Sequence, residues 1–139
     1  MTDLEAIFQS VLSARIPVSE GVRGLSLFAV VDLRSNPAYV HYKQGGAPEI
    51  LIEPRDVAAG LQRYLDGQID GDELQYWATF ITLTGGYRSP EPPAHDEDWY
   101  EEMWTVLHDL AVPMLAGPIT PEAVREKLRR LDRYGVSAA

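Results

Sequence analysis

The stretch Glu73–Gly86, ELQYWATFITLTGG, decides how the rest of the chain is arranged. From Leu74 to Tyr87 there is no charged side chain. At the helical repeat Leu74, Trp77, Ala78 and Ile81 share one face, while Tyr76, Phe80 and Leu83 cover a second. A helix apolar on two faces packs on several sides, and roughly three turns is too short to cross a bilayer. Its ends are signalled as well. Asp70 suits the N-cap, Glu73 completes a capping box, Ile69 can staple to Leu74, and Gly85-Gly86 supplies a left-handed stop. A buried helix is therefore expected at the centre of the fold.

Working backward, Pro54 suits a first helical position and Asp56 a first turn, with Val57, Leu61 and Leu65 facing inward. Gly67 ends that helix, so it and the central helix should pack as an antiparallel pair. Before it the pattern is one of strands. Leu25–Leu33 reads as a central strand, Ala38–Lys43 as a second and Glu49–Glu53 as a third, joined by turns at 34–37 and 44–48. Short connections make these an antiparallel meander. Residues 3–14 read as an amphipathic helix carried by Leu4, Ile7, Phe8, Val11 and Leu12, with Thr2 and Glu5 as a capping box, and Pro17–Gly24 reads as loop.

Working forward, Tyr87–Ala94 with its prolines reads as irregular, and a helix is expected over 96–112, closed by Pro113. Its inward stripe is Trp99, Met103, Val106, Leu107 and Leu110. Residues 114–119 read as a connector. Thr120-Pro121-Glu122 starts a last helix, with Val124, Leu128 and Leu131 inward. The tail 135–139 is expected to fray. The expected class is α+β: an N-terminal helix, a three-stranded antiparallel meander, and a four-helix C-terminal unit packed on the sheet. Its 139 residues fit a single domain, residues 1–53 being helix plus sheet and 54–134 helical.

Composition narrows the chemistry. With no cysteine, a disulfide framework, a thiolate metal site and a cysteine nucleophile are excluded. The N-terminus carries acids where a signal peptide needs bases, and no long apolar run follows, so a cytoplasmic protein without membrane association is expected. The net charge of −9 is unevenly placed. Residues 64–124 hold twelve acids against Arg88 alone, whereas 125–139 hold five bases against two acids. An acidic middle opposes nucleic-acid binding and favours a basic protein partner; it also serves solubility alone.

Several constellations invite stronger readings. Asp66–Asp72 resembles the start of a calcium loop, but the twelfth position is Trp77 instead of a bidentate Glu, and helix caps account for the same residues. Glu91, His95, Asp96, Glu97, Asp98, Glu101 and Glu102 could offer metal ligands, yet consecutive acids fan around a helix start and there oppose the dipole. His95-Asp96 and His108-Asp109 are adjacent pairs pointing about 100° apart, and His41 lies on a strand; no nucleophile elbow is present. No catalytic residue, metal or cofactor is therefore expected. The remaining candidate is a partner surface formed by Glu97, Asp98, Tyr100, Glu101, Glu102 and Trp104 beside the proline-rich loop. Trp104 and Tyr100 lie off the inward stripe and belong either to that surface or to packing against a neighbouring helix.

Arg63-Tyr64-Leu65-Asp66-Gly67-Gln68-Ile69, Glu73-Leu74 with Trp77-Ala78, Leu110–Pro113 and Gly117–Glu122 together resemble small bacterial proteins of the immunity type from polymorphic toxin systems. The resemblance covers about residues 55–131 and rests on caps and core positions. It implies a cytoplasmic binding protein. Together with the acidic middle, the aromatic–acid surface and the absence of an assembled catalytic motif, the expectation is a non-enzymatic, immunity-type inhibitor of a basic toxin domain, for which a homo-oligomer is possible. The alternative is a small enzyme or ligand binder with a pocket between sheet and helices, using His41, His108 or the acids of 96–102.

Overall fold

The computed structural model describes residues 3–35, 37–43, 45–89 and 97–132, without the side chains of Glu97 and Asp98. The Thr2 cap, the prolines at 90, 92 and 93, the Glu91, His95 and Asp96 ligands and the tail 135–139 lie outside the described residues. The class is α+β, rich in helix, with two small sheets.

Helix α1 (Asp3–Leu12) buries Phe8, Val11 and Leu12, as its stripe requires. It ends in a Schellman turn. Arg15 N–H donates to Ser10 C=O (2.9 Å), Ala14 N–H donates to Val11 C=O (3.1 Å), and Ala14 takes the left-handed conformation, φ 57°. The expected loop that follows is instead a helix, α2 (Val18–Gly24). Its glycines disfavour a helix, but Gly21 is where α2 crosses α1. A Cβ there would stand 2.4 Å from Val11 Cγ2, so tertiary contact overrides propensity.

The long strand expected over 25–33 is shorter. Leu25–Leu27 forms a 3-10 turn, and the strand β1 (Ala29–Asp32) begins at Ala29, just before its two valines. It pairs antiparallel with β2 (Tyr39–Tyr42), Ala29 opposite Tyr42 and Asp32 opposite Tyr39. In the turn between them, Asp32 Oδ1 accepts the Arg34 and Ser35 N–H groups, both at 3.0 Å. The Ser35 side chain, then these two backbone donors, hold the Asp32 carboxyl below its usual range.

The third strand does not join a meander. Strand β3 (Ile50–Leu51) runs parallel to β4 (Tyr87–Arg88), with Ile50 N–H on Gly86 C=O and Ile52 N–H on Arg88 C=O, both 2.8 Å. A parallel pair needs a long crossover, and α3 (Pro54–Leu65) with α4 (Gly71–Thr84) provides it. Tyr87 anchors the pair. Its ring stacks on Phe8 at 5.4 Å and its hydroxyl donates to Phe8 C=O at 2.7 Å, so the strand after α4 is held against α1.

Helix α4 is the buried element its composition demands. Leu74, Trp77, Ala78, Phe80 and Ile81 are buried, Tyr76 and Leu83 are half-buried, Asp70 Oδ1 accepts Glu73 N–H at 2.8 Å, and Gly85 stops the helix at φ 72°. Only the Asp70 half of the capping box forms, whereas α3 carries a complete one between Glu53 and Asp56. Helix α5 (Glu97–Ala111) packs chiefly on α4, and α7 (Pro121–Asp132) on α3 and α5. The connector between them opens with a further turn of helix, α6 (Pro113–Ala116), so Pro113 starts an element as well as ending one. One cluster of buried side chains runs from Phe8 to Leu131, and within it α4 packs on α1 and on β4.

Candidate functional site

The surface expected on α5 is largely internal. Tyr100 is buried in the core cluster beside Trp99, their rings 5.5 Å apart. Trp104 is half-buried against the same cluster and donates its indole N–H to Ser89 Oγ at 2.8 Å. The cause is that α5 is covered twice, by α4 on one side and by α3 and α7 on the other, so residues off the main stripe find cover too. Tyr100 is closed off, and Trp104 is only partly accessible.

The α5 acids have an internal use as well. Glu102, mostly buried, pairs with Arg130 of α7. That hydrogen bond, outweighing desolvation, raises the Arg130 pKa. The acidic middle and the basic tail are thus partly each other's counter-charge. Glu101 is exposed, and the side chains of Glu97 and Asp98 lie outside the described residues. His41 and His108 are exposed, the latter 6.4 Å from the Trp104 ring. Among the described residues no three His, Asp or Glu side chains gather as a metal site would need, and no helix is long and apolar enough to cross a membrane.

A different surface stands out. Two adjacent large apolar side chains of α6 are almost wholly in solvent, Met114 at 96% and Leu115 at 87%, and Val112 before them is 44% exposed. Val112 has φ −128° and ψ 68°, which breaks the line of α5, and Pro113 starts the new turn, projecting these side chains from the fold. Single exposed apolar residues are ordinary, but three within four consecutive positions form a patch. The chain then passes over the start of α4. An Ile119 methyl lies 3.7 Å from where a Gly71 Cβ would stand. The exposed Asp70 and Asp72 flank that glycine, and Glu122 is exposed in the first turn of α7. Ile119 is four residues from Leu115, so at most roughly 14 Å of chain separates the patch from the segment that meets the start of α4. The sequence signal was Val-Pro-Met-Leu, whose proline reads first as a terminator.

A cavity does lie between sheet and helices. It measures about 270 Å³ and is lined by Val18 and Val22 of α2, Val31 and Asp32 of β1, Arg34, and Tyr76 of α4. The Arg34 guanidinium sits 5.3 Å above the Tyr76 ring. Among the described residues, neither His41 nor His108 lines it, nor do Glu101 and Glu102. No family model, curated protein or solved structure matches this chain.

Proposed function

We propose that this chain is a non-enzymatic, cytoplasmic binding protein whose partner is a basic protein, seated on α6 with Asp70, Asp72 and Glu122 around it. The observation that carries the reading is the exposure of Met114 and Leu115. Large apolar side chains held in water gain by entering a partner's pocket, and acids at the rim select and steer a positively charged one. The resemblance to immunity proteins extends this to inhibition of a basic toxin domain. The interface is thereby moved from the α5 aromatics to the α5–α6 corner.

The test is a photo-crosslinking amino acid at position 115 in the native cell, with position 20, exposed on α2, as control. A basic protein crosslinked from 115 and absent from 20 supports the reading. An adduct only with a second copy of this chain makes the patch a dimer contact, and no specific adduct at 115 removes the proposed interface.

A further inference from the structure

A second cavity, about 210 Å³, lies where the α1–α2 connection crosses the turn between α3 and α4. Val11, Ile16, Val18, Ile69 and Trp77 make its wall apolar, and Arg63 of α3 also lines it. The state of Arg63 is unusual. Its Nη1 is buried and, among the described residues, has no hydrogen-bond acceptor. Burial pulls its pKa below the ordinary value, while Asp56 attracts it from a distance and partly offsets that. The Asp56 carboxylate is engaged elsewhere, accepting the Glu53 N–H at 2.8 Å, and burial raises its own pKa. A buried cationic N–H without an acceptor is among the costlier arrangements a fold retains, and an acceptor brought in from outside is one way to satisfy it. Nη1 itself is closed to water, so an acceptor in the cavity meets it only when the Arg63 side chain turns toward the wall it lines. Ala14, on the cavity wall, adds the strain of a left-handed non-glycine residue at the same place.

We propose that this cavity binds a small carboxylate with an apolar body. The carboxylate would accept from the Arg63 guanidinium, the residue suited to planar, two-point recognition of it. The body would lie on Trp77 and the aliphatic wall. At about 30 Å³ per water the cavity spans about seven water volumes, room for a branched acid of leucine size. Two sources share this chemistry, a plain branched-chain acid and the corresponding α-amino acid. Glu73, also in the wall, is available to an ammonium group. The site is separate from the α6 surface, and none of its residues belongs to that patch.

The test is titration of the ¹⁵N-labelled full chain with 4-methylpentanoate, L-leucine and 4-methylpentan-1-ol. The readout is the Trp77 indole N–H, which donates to Val11 C=O at 3.1 Å; the Trp104 indole serves as internal control. At least one of the two acids should shift Trp77 saturably at millimolar concentration while Trp104 stays still. The alcohol should bind at least about tenfold more weakly, lacking the charge-assisted hydrogen bond. Preference for L-leucine assigns the amino acid, and preference for 4-methylpentanoate the plain acid. Arg63→Gln should abolish discrimination between acid and alcohol. Ile16→Phe, which fills the cavity and keeps the charge, should abolish binding. No shift of Trp77 with either acid overturns the proposal, as does unchanged acid affinity in folded Arg63→Gln. If Arg63→Gln does not fold, Ile16→Phe decides alone, because binding retained there places the ligand elsewhere.

Discussion

Gly60 on α3 lies directly against Trp77 of the central helix, and replacing it with alanine is a test with a definite sign. A Cβ there would stand 2.5, 2.8 and 2.9 Å from Cη2, Cζ3 and Cζ2 of Trp77. Comfortable carbon contacts are about 3.5–4.0 Å, so three ring atoms are overlapped by roughly 1 Å. The indole has little room to retreat: Trp77 is 3% exposed and its N–H is bound to Val11 C=O. Overpacking of this kind costs about 1–3 kcal/mol. Alanine recovers about 0.8–1.0 kcal/mol of helix propensity, leaving a net loss of up to about 2 kcal/mol. Urea unfolding followed by circular dichroism measures it, with the slope expected to stay constant. A glycine free of tertiary contact in mid-helix predicts the opposite, a gain of about 1 kcal/mol. A stabilised Gly60→Ala would therefore refute the α3–α4 packing described here.

Ala14→Gly should raise stability by about 0.5–1 kcal/mol, since relief of the left-handed penalty exceeds the added freedom of the unfolded chain; a loss in urea unfolding would mean Ala14 is not in that conformation. Tyrosine ionisation sets an alkaline limit. Burial pushes the Tyr42 phenol up to about 12 and lifts Tyr87 well above its ordinary value of 10. The folded state keeps protons that the unfolded chain releases, so stability is whole below pH 10 and is lost as pH climbs toward about 12. Tyr42→Phe should flatten that decline in pH-dependent melting, and at neutral pH should cost about 1 kcal/mol for the lost bond to Thr84 C=O. Trp104→Phe should cost a similar amount through its bond to Ser89, without changing partner binding; a folded variant that releases the partner faster would return Trp104 to the interface.

What could be read in the residues followed from local physics. The α4 stripe, the Asp70 cap, the Gly85 stop and the Thr120 cap of α7, whose Oγ1 accepts Ala123 N–H at 3.2 Å, are all decided within a few residues. What could not be read depends on distant partners. Alternation over Leu25–Leu27 suits a strand, but β-branched residues begin only at Val30. The parallel β3–β4 pair joins residues more than thirty positions apart, through the Phe8–Tyr87 stack. Tyr100 and Trp104 pack into a core assembled from distant elements, and Arg130 takes up Glu102 because α7 returns beside α5. Arg63, named in the sequence only within the stretch 63–69, gains its significance from the α1–α2 connection laid beside it.

Whether α6 seats a partner is decided by the association and dissociation rate constants with the partner identified by crosslinking. Met114→Ser with Leu115→Ser should speed dissociation by at least about tenfold, as expected for buried anchors, and leave association nearly unchanged. Asp72→Lys with Glu122→Lys should instead slow association, and should weaken its salt dependence, because exposed charges act over about 8–10 Å before screening. Folded variants at all four positions with both rates unchanged would contradict the claim, most pointedly if Glu101→Lys on α5 alters them.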